Sequence, residues 1–357
     1  MLLSSPVAAL PQQDLSPVAA SVAPVVSVVI PTYKHRDFVA QTLASVWAQT
    51  FTNYEIIVVN DGSPDDTANV LRPFAEAGRI RYIEQSNTGQ AGARNRGVAE
   101  ARGEFVALLD DDDLWPADKL EWQVAALRAA SPQTVMVYGR IVCINDQNEP
   151  TVPLDEAGEP VVLPWEAPQG NAFAAFARRN WIMSPGQCLV RRTALSTLTQ
   201  GGGGAPFDPD PRLRGCDDWD LWWRLAQVGP FLYEDRDALL YRFHAANASR
   251  DVLQMHRSTL RVHEKYARLP ADKATCHLLA CARREAFAWS EFDLIRRASA
   301  DRAPHGAGPF AAWEKLRFLA HTQPLSVCKP RVARLFLGTL RAMRRISVAS
   351  SRRSETV

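Results

Sequence analysis

Short apolar runs alternate with amphipathic stretches through the first 250 residues. Val26-Ser-Val-Val-Ile30, Glu55-Ile-Ile-Val-Val-Asn60, Ile80–Glu84, Phe105-Val-Ala-Leu-Leu109 and Val135–Ile144 are brief and end in polar or turn-forming residues. That is the pattern of strands buried on both faces. Between them, Arg36–Gln49 carries Phe38, Val39, Leu43, Val46 and Trp47 at helical spacing. Pro64-Asp65-Asp66 opens a second helix through about Ala75, and Asn87–Gly97 leads into a third that ends near Ala101. A fourth, Lys119–Ala130, turns Leu120, Val124 and Leu127 to one side. This alternation with short connections predicts an α/β fold, a mostly parallel sheet flanked by helices.

Further along, Asn145–Pro168 is rich in Pro, Glu and Asp and reads as a long loop. Asn171–Arg179 looks helical, Gln187–Arg191 is a short strand, and Gly201–Gly204 is a hinge. A helix over Asp217–Ala226 precedes strands at Phe231–Glu234 and Ala238–Phe243. From Asp251 the pattern changes to long helical stretches broken by Pro270, a Gly/Pro segment at Ala303–Pro309, and Pro324. The expected organisation is a disordered leader over 1–25, an α/β domain over 26–250, and a helical C-terminal region over 251–357.

A formal net charge of +2 gives no basis for a nucleic-acid partner. Basic residues do gather near the C-terminus. Arg331–Ile346 reads as a basic amphipathic helix, either packed on the domain or adsorbed to an anionic membrane. Six cysteines are scattered without CxxC pairs, as expected of reduced thiols in a cytoplasmic chain. The apolar runs fall short of the ~18 residues that a membrane span needs.

The chemistry gathers at strand ends. Phe105–Leu109 runs straight into Asp110, Asp111, Asp112 and Asp113, whose charges repel one another and cannot be buried unpaired. On an extended chain Asp110 and Asp112 project to the same side, which suggests a Mg²⁺ or Mn²⁺ site where open α/β sheets bind ligands. The plainer alternative is a solvated turn capping the helix near Pro116. Pro31-Thr32-Tyr33 and Asp61 suit a base and ribose, although Asp61-Gly62 alone reads as a turn. Gly89, Gly92 and Gly97 with Arg94 loosely resemble a phosphate loop, yet neither G-x-x-x-x-G-K-[ST] nor G-x-G-x-x-G after the first strand occurs. P-loop ATPases and NAD-type Rossmann enzymes are thereby disfavoured. Asp217-Asp218-Trp219-Asp220 either complements a helix dipole or supplies a general base. His244 closes a strand within reach of a metal or diphosphate.

Taken in order, Val-Ser-Val-Val-Ile-Pro-Thr-Tyr33, Ile-Ile-Val-Val-Asn-Asp-Gly-Ser63, Asn87-x-Gly89 with Ala-Arg-Asn95, Gly103 to Asp113 with Trp115 and Lys119-Leu-Glu121, and Asp217 to Arg224 resemble the family-two glycosyltransferases of GT-A fold. The resemblance covers roughly Val26 to Arg250. It implies an inverting enzyme that moves a sugar from a nucleotide-sugar, most simply a UDP-sugar, to a glycan or lipid-linked acceptor in surface polysaccharide synthesis. It also implies a divalent cation. With the reduced cysteines, the expected location is the cytoplasm, peripheral at the inner membrane face where Arg331–Ile346 adsorbs to lipid rather than packing on the domain. Carried over by position, Pro31, Thr32, Tyr33 and Asp61 would hold the nucleoside, with Arg94 and Asp111 near the nucleotide. Asp110 would contact ribose or a metal-bound water, Asp112 would ligate the metal, and His244 would stand at the metal and diphosphate. Asp218 would be the base, with Asp217 and Trp219 toward the acceptor. Two departures are the shorter Asp217 where the family carries Glu, and Pro116 directly after Trp115. No Gln-x-x-Arg-Trp motif of the processive members occurs. The competing functions are a catalytically silent nucleotide-sugar or glycan-binding module and a sugar nucleotidyltransferase.

Overall fold

A computed structural model describes residues 23–152, 167–200, 204–244, 247–267, 272–302 and 308–354. The leader over 1–22, most of the long loop (153–166), three glycines of the hinge (201–203) and residues 303–307 of the Gly/Pro segment lie outside the described residues. The α/β part runs β1 (Val26–Thr32), α1 (Arg36–Trp47), β2 (Tyr54–Asn60), α2 (Thr67–Glu76), β3 (Arg81–Glu84), α3 (Gln90–Glu100), β4 (Phe105–Leu108), α4 (Lys119–Ala129) and β5 (Met136–Ile144). It continues through α5 (Phe173–Arg178), β6 (Cys188–Arg191), α6 (Arg192–Gln200), α7 (Asp217–Val228) and β7 (Phe231–Arg242). Four helices follow, α8 (Val252–Tyr266), α9 (Lys273–Asp301), α10 (Pro309–Thr322) and α11 (Pro330–Ser354).

The sheet has strand order β3-β2-β1-β4-β6-β5-β7. β1 to β4 are parallel, β6 is antiparallel to both β4 and β5, and β7 returns parallel to β5. Both faces are covered, so each strand sends alternate residues into different cores. Val29, Ile57, Val59 and Val106 enter the core under α3, α5, α6 and α7. Val28, Ile30, Ile56, Val58 and Ala107 enter the other, under α1, α2 and α4. Burying each of the Val and Ile side chains stabilises the fold by about 1.5–3 kcal/mol, which is why these strands read as unbroken apolar runs.

β1 pairs with β2 on one side and β4 on the other, so the chain order reverses there. In open α/β sheets ligands bind at such a switch point, outside the carboxyl ends of the strands. The segments after β1, β2 and β4 therefore share one edge. Gly103, just before β4, keeps those strands close. A Cβ at this position would lie 2.7 Å from the Ser27 nitrogen and 2.8 Å from the Val26 carbonyl carbon, both backbone atoms that cannot step aside. Gly103→Ala is expected to destabilise the protein by about 1–3 kcal/mol through overpacking, measured by urea denaturation.

Two features differ from the sequence-based expectation. The two strands expected at Phe231–Glu234 and Ala238–Phe243 are one edge strand, β7, with register shifts around Arg140 of β5. Its polar middle stays in water, where Asp235 and Asp237 pair with Arg140, each at 3.0 Å. Polar residues on an edge strand cost little. α6 begins directly after β6, with no turn signal to mark it.

The first of the C-terminal helices, α8, docks on α7. The Trp223 and Tyr266 rings lie 4.0 Å apart, and Lys265 of α8 reaches Asp220 at 2.7 Å.

Candidate active site

β4 stops at Leu108, and a hydrogen bond from Asp113 N–H to the Asp110 carbonyl (3.2 Å) folds the next residues into a turn. The extended chain expected through Asp110 and Asp112 is thereby corrected: a turn splays the carboxylates, and each meets a different partner. Arg94 reaches Asp110 at 2.6 Å, His35 Nδ1 lies 2.7 Å from Asp111, and His244 Nε2 lies 3.0 Å from Asp112. Asp113, fully buried, accepts from the Arg242 N–H at 2.9 Å and the Ser184 hydroxyl at 3.3 Å. From α1, the Thr42 hydroxyl stands 2.9 Å from the carbonyls of both Asp111 and Asp113 and ties the turn down. After the turn, Trp115 donates its indole N–H to the Gly186 carbonyl at 3.0 Å. Lys119 is buried against that ring, and burial pulls its ammonium down to about 7.

Burial pushes Asp110 and Asp111 upward, opposed mainly by Arg94 and His35 respectively, and drives Asp113 well above the usual carboxylate range with the charges of Asp112 and Asp110 adding to it. For His35 burial acts downward, but the hydrogen bond and charge of Asp111, with Asp112 and Asp110, outweigh it and lift the imidazole to about 9. One donor atom each from His35, Asp111 and Asp112 lies within 4.8 Å of the others. Cation ligands at about 2.1 Å stand about 3–4 Å apart, so this donor set fits a small divalent ion after slight closure.

Tyr33 is exposed at the rim, and its N–H donates to Asp111 at 3.2 Å. Pro31 and Thr32 are buried at the end of β1. Asp61 pins the entry to α3, accepting from the Thr88 N–H (2.9 Å), the Gln85 side chain (2.8 Å) and the Gly89 N–H (2.8 Å). Gly89 has φ 82°, a left-handed conformation that favours glycine.

Across Arg94 from the acidic turn, α7 begins with Asp217 and Asp218, both buried. The guanidinium of Arg94 spans the gap: one nitrogen bonds Asp110 at 2.6 Å and the other Asp217 at 2.7 Å. The acidic turn after β4 and the start of α7 therefore meet across one side chain. Burial drives Asp218 well above the usual carboxylate range, Asp217 adds to this, and Arg94 opposes it. Asp220 faces inward instead, bonded to Lys265, Arg224 and the Tyr266 hydroxyl. Trp219 also turns inward. Its indole N–H donates to the Phe176 carbonyl at 2.8 Å and its ring packs on Trp223 and His263, so the side chain expected toward the acceptor is part of the core instead.

Sequence reasoning missed His35 and the structural burden on Asp113 and Arg242. A histidine three residues past Thr32, in the segment leaving the same sheet edge as the aspartates, was the available signal for His35.

The model of the glycosyl transferase family 2 matches residues 27–199. An uncharacterised glycosyltransferase of Rickettsia prowazekii (strain Madrid E) is 34% identical over 232 residues, 64% of this chain and 67% of that protein. The UDP-Glc:alpha-D-GlcNAc-diphosphoundecaprenol beta-1,3-glucosyltransferase WfgD of Escherichia coli is 34% identical over 124 residues, covering 34% of this chain and 48% of WfgD. Among solved structures, Staphylococcus aureus TarS 1–349 in complex with UDP-GlcNAc is similar in fold, with a TM-score of 0.56 at 15% identity over 90% of this chain and 91% of that one. The chain spans 36% and 14% of the length of two further Rickettsia glycosyltransferases that it matches.

Proposed function

Because this chain belongs to glycosyl transferase family 2, we propose that it transfers a sugar from a UDP-sugar to a hydroxyl of a glycan or lipid-linked acceptor during synthesis of a surface polysaccharide, inverting the anomeric centre. The observation that carries this reading is Arg94, which joins Asp110 of the acidic turn to Asp217 beside Asp218. The likeness to WfgD supports a UDP-sugar donor and a lipid-linked acceptor.

In this mechanism Pro31, Thr32, Tyr33 and Asp61 form the nucleoside end of the cleft, with Asp110 and Asp111 toward ribose and phosphates. Asp112 and His244 would hold Mg²⁺ or Mn²⁺, and the ion would supply positive charge against the negative charge of a diphosphate leaving group. Asp218 takes the proton of the acceptor hydroxyl as its oxygen attacks the anomeric carbon and the bond to the diphosphate breaks. A single displacement inverts configuration and needs no enzyme nucleophile. Asp217, held by Arg94, helps to seat the acceptor.

Incubating the protein with UDP-sugars, Mn²⁺ and glycan or lipid-linked acceptors, and reading the product by mass spectrometry, tests the proposal. Nucleotide-sugar binding without transfer to any of them would point to a binding module. Pyrophosphate release from a sugar phosphate and a nucleoside triphosphate would point to a nucleotidyltransferase.

The raised proton affinity of Asp218 sets the pH dependence. The base works only when deprotonated, so transfer should fall as pH drops through a value above the usual carboxylate range. The acid limb of kcat/KM is expected there, and a limb at ordinary carboxylate pH would contradict the assignment.

We also propose peripheral contact with an anionic membrane through α11. Among the described residues no helix is long and apolar enough to cross a membrane. Arg331 and Arg334 of α11 are exposed, as is Leu337 of the same helix, which gives a surface where basic and apolar groups adjoin. Removing residues 329–357 should reduce co-sedimentation with anionic vesicles several-fold, and undiminished binding would refute this contact.

A further inference from the structure

The acidic turn meets imidazoles from two directions. His244 arrives from the end of β7, whereas His35 arrives from the segment between β1 and α1. Lys34 has φ 65°, a left-handed conformation for a non-glycine residue, and its N–H donates to Ser63 at 3.2 Å. That turn places His35 over the aspartates. The ring is held edge-on by Phe38 at 6.1 Å and His244 at 5.8 Å between centroids. Nδ1 lies 2.7 Å from Asp111 and 4.0 Å from Asp112, distances that bracket the spacing of adjacent ligands around one small cation.

We propose that His35 is a nitrogen ligand of the divalent cation, together with Asp111 and Asp112, and that it biases the site toward Mn²⁺ over Mg²⁺. This rests on the transferase reading of the cleft. The physical ground is the donor type. Mg²⁺ is a hard ion that keeps oxygen ligands and water, whereas imidazole suits transition ions, for which affinity rises from Mn²⁺ onward. A lysine or arginine at this position would neutralise Asp111 equally well but could offer a metal no lone pair.

The test is Mn²⁺ titration of the full chain followed by electron paramagnetic resonance, with spin-echo modulation from ¹⁴N as the direct readout. In His244→Gln the ¹⁴N modulation should persist, because His35 remains; in the His35→Gln/His244→Gln double variant it should vanish. Wild-type protein should bind Mn²⁺ at least tenfold more tightly than Mg²⁺, and His35→Gln should weaken Mn²⁺ binding about tenfold with little change for Mg²⁺. Circular dichroism and metal-free UDP binding show that the variants are folded. Bound Mn²⁺ without ¹⁴N modulation in His244→Gln would overturn the assignment of His35 and leave the transferase reading standing. Absence of Mn²⁺ binding by the wild type, with and without UDP, would overturn both.

Discussion

Asp218→Asn should lower the transfer rate by about 10²–10⁴-fold, the usual contribution of a positioned general base, while KM for the UDP-sugar stays nearly constant. The amide keeps the shape of the carboxylate but cannot take the acceptor proton. Stability should not fall with activity. Burial and Asp217 already favour the uncharged form of Asp218, and Asn is uncharged at every pH. A thermal midpoint equal to or above that of the wild type, together with the rate loss, separates a catalytic role from a structural one. Full turnover by Asp218→Asn would remove the base from the mechanism.

Arg94→Met should be the most destabilising single change at this site. Arg94 is buried, and Asp110 and Asp217 both lean on it. Removing one partner of a buried ion pair costs about 3–5 kcal/mol, because the charge left behind has neither water nor a counter-ion. The loss should shrink at low pH, where protonation neutralises the stranded carboxylates. The exposed pair Arg128–Glu104 is the control: its removal should cost less than about 1 kcal/mol. Denaturation midpoints of Arg94→Met and Arg128→Met at neutral and acid pH measure both. Equal losses would show that Arg94 is not the electrostatic tie between the two halves of the cleft.

The contrast between those positions bears on what can be read from a linear chain. The apolar runs at Val26–Ile30 and Phe105–Leu109 announced buried strands because a strand covered on both faces must be apolar at consecutive positions. Asp110 to Asp113 and Asp217-Asp218 stood out because adjacent carboxylates are costly without a partner. Each of these signals is local, carried by neighbours in sequence.

What the sequence by itself determined is therefore the α/β framework, the edge on which the chemistry gathers, and the identity of most acidic groups. Only the tertiary structure decided how those acids divide the work. It folded Asp110–Asp113 into a turn, sent Asp113 inward to Arg242 and Ser184, brought His35 over Asp111, turned Trp219 into the core, and laid Arg94 between Asp110 and Asp217. Those outcomes depend on contacts between segments far apart in the chain, and the periodicity of residues three or four positions apart carries no record of them.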